Sequence, residues 1–179
     1  MIDIAKRKLP SAAVAALVYI SYCAVGWFSA RGTLAYYGQQ YYLPGFIVND
    51  SVAFFIGGLL PFLLYKILST TVFRMITMRL QASNAQSLKY GLDCAVIGAN
   101  LLLFLLKFMY IAIPLYAPIV DIIIDPVITL GVVALYMWYA FYQNYIERSR
   151  YKVVLLQVYG TFLLLYGLLA LINTFLAVA

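Results

Sequence analysis

The chain has no histidine. That excludes bis-His haem ligation, His-containing zinc sites and any mechanism built on a histidine general base. It has two cysteines, Cys23 and Cys94, and both fall inside long apolar runs. A disulfide framework needs aqueous, oxidising surroundings, so these read as small apolar packing residues. Charge is scarce as well. Only 10% of the 179 residues are Asp, Glu, Lys or Arg, and six of them are acids. A soluble domain carries about a quarter charged residues. Paired carboxylates are correspondingly few, and no Gly-x-Gly-Asp motif accompanies them.

What the chain has instead is apolar length. Hydrophobic residues make up 66% of it. They gather in five runs, at 10–30, 47–68, 90–113, 126–146 and 153–176. About 20 consecutive apolar residues span a bilayer as a helix. The predicted fold is therefore an all-α integral membrane protein, five transmembrane helices forming one domain over residues 1–179. The first run follows Lys6, Arg7 and Lys8 like a signal peptide, but it is too long for a typical h-region and reads as a retained span.

The net charge is +6 and the pI about 9.3. Nucleic-acid binding would need a basic surface outside the bilayer, whereas here the basic residues flank the spans. No nucleic-acid partner is expected. Lys6, Arg7 and Lys8, then Arg74, Arg79 and Lys89, then Arg148, Arg150 and Lys152 mark three internal clusters. The loop around 31–46 carries Arg31 and a group of tyrosines, and the turn near 121–125 carries Asp121 and Asp125. Both read as external. One topology satisfies all of these, with the N-terminus inside and the C-terminus outside.

Local signals refine the ends. Asn49, Asp50 or Ser51 can cap the second helix. Asp125 followed by Pro126 resembles a cap and a favoured first-turn residue, which starts the fourth helix at 126. The rival reading runs that helix back to about 119, with a kink at Pro126. After the second span, Thr70, Arg74, Thr77 and Gln81 recur at helical spacing opposite Val72, Phe73, Ile76 and Leu80. That pattern fits an amphipathic interfacial helix at about 69–81, with Arg74 and Arg79 facing anionic lipid. It fits equally a plain continuation of the second helix.

Polar residues inside spans are costly and face the bundle or a water-filled cavity. Asp93, Asn100 and Lys107 lie seven residues apart, twice. Seven residues fall about 20° short of two helical turns, so the three share one face of the third helix. This face is either a track for an ion, a proton or a lipid headgroup, or a set of structural hydrogen bonds. The returning fourth helix brings Asp125 to the depth of Lys107, with Asp121 further out, which predicts a Lys107–Asp125 salt bridge. Gly57 and Gly58 in the second helix, and Gly160 and Gly167 in the fifth, suit close helix contact. Tyr136, Tyr139, Tyr142 and Tyr145 form an aromatic stripe at the inner end of the fourth helix.

In the C-terminal half, Tyr136-Met137-Trp138-Tyr139 leads through a short charged loop, Glu147 to Lys152, into a final apolar span. With five spans, this resembles the Yip1-type membrane family, mostly in topology. The resemblance implies a multi-pass bundle and no catalytic residue. The expected function is a non-catalytic structural or accessory subunit, or a membrane-organising helper, in a larger membrane complex. It would pack beside other membrane subunits or its own copies, touch membrane lipids and need no cofactor or metal. The alternative is a small transporter or channel component using Asp93, Asn100 and Lys107; an intramembrane aspartyl hydrolase is the third reading. Compact size and short loops point to a prokaryotic plasma membrane.

Overall fold

Each apolar run forms one long helix. The computed structural model describes residues 11–37, 49–77, 82–112 and 118–178. They make up α1 (Ser11–Tyr37), α2 (Asp50–Thr77), α3 (Ala82–Ala112), α4 (Pro118–Tyr142) and α5 (Tyr151–Val178). No strand occurs among the described residues. All five helices are long and apolar enough to cross a membrane. The 28 residues of α2 and 31 of α3 exceed the about 20 that a bilayer needs.

Asn49 starts α2, its side-chain Oδ1 accepting from the Ser51 and Val52 amides at 3.1 and 3.2 Å. That satisfies donors a helix N-terminus otherwise leaves open. α2 then runs without a break through Thr77. Of the two readings of the 69–81 segment, the structure shows the continuous helix rather than a separate interfacial one, and 78–81 lie outside the described residues. Phe73 and Ile76 are buried in the core, which ties this last stretch to the bundle.

The fourth helix corrects the expected span of 126–146. It begins at Pro118, and Pro126 lies inside it. Proline removes one amide donor, but a loop through the apolar Ile119–Ile124 stretch would strand many backbone groups in hydrocarbon. The helix is the lesser cost. It ends at Tyr142 because Asn144 adopts a left-handed φ of 56°. The Tyr145 amide then bonds Ala140 O, and the Asn144 amide bonds Phe141 O, both at 3.0 Å. This is the Schellman arrangement, with asparagine in the position glycine usually takes.

α1 packs most closely on α2 and α3, and also touches α4. α3 packs on α4, and α5 closes the gap between α2 and α4. Val18, Tyr65, Ile76, Leu88, Met137 and Phe162 are among the core residues that hold these helices together. α1 and α2 approach backbone to backbone. A Cβ on Gly26 would lie 2.5 Å from the Gly57 carbonyl carbon, and one on Gly58 would collide with the Cys23 backbone. Gly57 and Gly58 thus sit at a helix contact. Gly160 and Gly167 do not: among the described residues nothing lies within 4 Å of a Cβ at either, so no close helix contact forms there. Small-residue spacing shows that a helix can be approached closely, not which helix approaches.

Candidate polar track on the third helix

Three polar side chains in an apolar helix need partners from other helices, because lipid supplies none. Asp93, Asn100 and Lys107 are 6%, 2% and 3% exposed. They form three layers, roughly 10 Å apart along α3 at 1.5 Å per residue.

In the first layer Tyr65 Oη of α2 donates to Asp93 Oδ1 at 2.6 Å. Lys66 Nζ approaches Asp93 Oδ2 at 3.8 Å. Lys66 follows Tyr65 directly, so the two side chains diverge on α2. Asp93 bridges them with its two oxygens.

In the middle layer Asn100 Nδ2 donates to Ser21 Oγ of α1 at 2.9 Å. Ser21 in turn donates to Val18 O at 2.7 Å, its own helix's carbonyl. The chain of bonds starts at an amide and ends on backbone, with no charge at mid-span.

In the third layer Lys107 Nζ donates to Ser29 Oγ of α1 at 2.7 Å. It pairs with both Asp121 and Asp125 of α4, each at 2.9 Å. The expected Lys107–Asp125 pair is present, and Asp121 joins it rather than lying further out. The reason is the early start of α4: with residues 118–125 helical, positions 121 and 125 stand one turn apart on one face. An ammonium offers three donors, and three acceptors meet it here.

Ser21 pairs with Asn100 and Ser29 with Lys107, so partners advance in the same direction along α1 and α3. These helices therefore run parallel, while α4 returns beside them. The helical spacing that marks Asp93, Asn100 and Lys107 marks neither serine, nor Tyr65. The usable signal was that a polar side chain at depth needs a small hydroxyl at the same depth on a neighbour.

The remaining candidates scatter. Arg74 is exposed on α2, and Arg79 lies outside the described residues. The tyrosine stripe splits: Tyr136 turns inward and donates to Leu88 O at 2.9 Å, whereas Tyr139 and Tyr142 face outward. Cys23 is buried and Cys94 exposed, both as free thiols. Asp121 and Asp125 are the paired acids a hydrolase reading would use, but one ammonium bridges them. Among the described residues no three His, Cys, Asp or Glu side chains gather as a metal-holding group. Comparison of the chain with protein families, with curated proteins and with solved structures finds no match.

Proposed function

We propose that this chain is a non-catalytic, multi-pass membrane protein that serves as a structural or accessory subunit in a larger membrane complex. The observation that carries this reading is the use made of the α3 polar face. Asp93, Asn100 and Lys107 are each bonded across to another helix, so the groups that could have handled cargo instead join α3 to α1, α2 and α4. Large apolar side chains point outward on every helix, including Leu135, Trp138 and Leu156 at 67%, 66% and 74% exposure. They offer surface to lipid and to neighbouring subunits. The crowding of basic residues at the α2–α3 and α4–α5 connections supports a topology with those connections on the cytoplasmic side.

The test is gentle extraction with native lipid, followed by mass measurement of the intact assembly. Stoichiometric foreign membrane subunits are expected. A stable, monodisperse single chain would contradict the proposal.

A second reading, a small transporter or channel component, has one observation in its favour. Tyr22 Oη and Asp125 Oδ1 are buried and make no hydrogen bond within the described structure. Buried polar atoms without partners are costly, and they mark places where a proton or water can be accommodated. The two atoms sit on α1 and α4.

A further inference from the structure

The outward face of α2 has an order of its own. Steps of seven residues return to nearly the same side of a helix. Ile56, Leu63 and Thr70 form one such ridge, and Leu60, Ile67 and Arg74 form the ridge beside it, offset by one turn. All six side chains are exposed. The ridges are apolar for their first two steps and polar at the third. The change coincides with a shallow depression lined by Lys66, Ile67, Thr70, Thr71 and Arg74.

The depression presents cations and a hydroxyl donor. Lys66 is held at its edge by Asp93 and by the rings of Phe62 and Tyr65, at 5.9 and 6.0 Å from its ammonium. Thr71 spends its hydroxyl hydrogen on Ile67 O at 2.9 Å, which leaves Thr70 as the hydroxyl donor facing out. No ion pair engages Arg74 among the described residues. The same end of the bundle carries Lys89, Arg148, Arg150 and Lys152 against Asp93 and Glu147, and Arg150 already pairs with Glu147 at 3.3 Å. The local field therefore favours an anion.

We propose that this face binds an anionic phospholipid, with its phosphate between Lys66, Thr70 and Arg74 and an acyl chain along Ile67, Leu63, Leu60 and Ile56. Charge complementarity selects the anionic headgroup. The exposed apolar ridges, which continue from the depression along the span, select a lipid over a soluble phosphate. The site rests on the membrane-spanning fold and is independent of the accessory-subunit proposal.

The experiment uses the full chain in a neutral detergent. Native mass spectrometry reads its retention of phosphatidylglycerol and of phosphatidylcholine with the same acyl chains. The wild type is expected to keep one phosphatidylglycerol in preference to phosphatidylcholine. Arg74→Gln should weaken that binding about fivefold, the value of roughly one interfacial cation, and leave phosphatidylcholine unchanged. Lys66→Gln with Arg74→Gln should abolish the preference. Because Lys66 also touches Asp93, the single Arg74→Gln variant carries the test, and its thermal melt must match the wild type.

Arg148→Gln with Lys152→Gln removes two exposed cations from the same end and should change nothing. Equal retention of the two lipids by the wild type, or no effect of Arg74→Gln, would overturn the proposal. So would an equal loss in the Arg148/Lys152 control, which would make the attraction diffuse. Displacement of the lipid by millimolar glycerol phosphate would assign the depression to a soluble anion. A bound polypeptide that excludes lipid from the face would assign it to a protein partner.

Discussion

Removal of the Lys107 ammonium would leave Asp121 and Asp125 facing each other in a low-dielectric interior. Breaking a buried ion pair by deleting one partner costs about 3–5 kcal/mol. Lys107→Met is therefore expected to lower accumulation in the membrane and the melting temperature sharply, as read by quantitative blotting and a thermal melt. Lys107→Asp alone should be worse. Lys107→Asp combined with Asp125→Lys should restore most of the loss, because the new lysine again meets two carboxylates. An exchange no better than the single changes would show that the pair does not set the register of α3 and α4. The spacing of Asp93, Asn100 and Lys107 was legible in the sequence, as was the Lys107–Asp125 pair. Their partners on other helices were not. Ser21 lies 79 residues from Asn100, Ser29 lies 78 from Lys107, and Tyr65 lies 28 from Asp93. A one-dimensional pattern fixes which face is polar, whereas the packing of helices fixes what meets it.

Helices α1 and α2 meet through glycine, and α5 shows glycine to open space. The same substitution should therefore act oppositely at the two places. Gly26→Ala and Gly58→Ala force a methyl group into the facing backbone, which is expected to cost about 1–3 kcal/mol as overpacking does. Gly160→Ala and Gly167→Ala meet nothing among the described residues and should be neutral or stabilise by up to about 1 kcal/mol through helix propensity. A melting series of the four variants in detergent checks this; equal losses at all four would contradict the packing. At this scale the sequence located every span but misplaced both ends of the fourth. The Asp125–Pro126 pair looks locally like a helix start, yet a neighbouring apolar stretch in lipid has no better state than helix. At the other end, the helix stops at the polar pair Gln143-Asn144, where Asn144 takes the left-handed turn, although Tyr145 and Ile146 beyond it are apolar again. A count of apolar residues over the run weighs neither of these, since one depends on solvent and the other on a single residue's φ.

Among the described residues, the buried polar groups of α3 join helices, apolar side chains fill the core between them, and further large apolar side chains face outward. The three α3 layers lie near one end, the middle and the other end of the bundle, and each ties α3 to a different neighbour or pair of neighbours. Fold class was legible from hydropathy alone because a bilayer admits few alternatives to helices. Function was far less so: an intramembrane polar face has the same sequence whether it is hydrated or bonded shut. The central claim is that this face is structural. Asn100, at mid-span, is where that claim is exposed, because an interhelix bond of its kind contributes only about 0.6 kcal/mol and at most about 1.7. Asn100→Leu should therefore fold. The measurement to make is proton and potassium flux into sealed proteoliposomes containing the wild type or Asn100→Leu. Both are predicted to match empty vesicles. Flux above empty vesicles in the wild type, abolished by Asn100→Leu in a protein that still melts normally, would make the face a conduit and contradict the account.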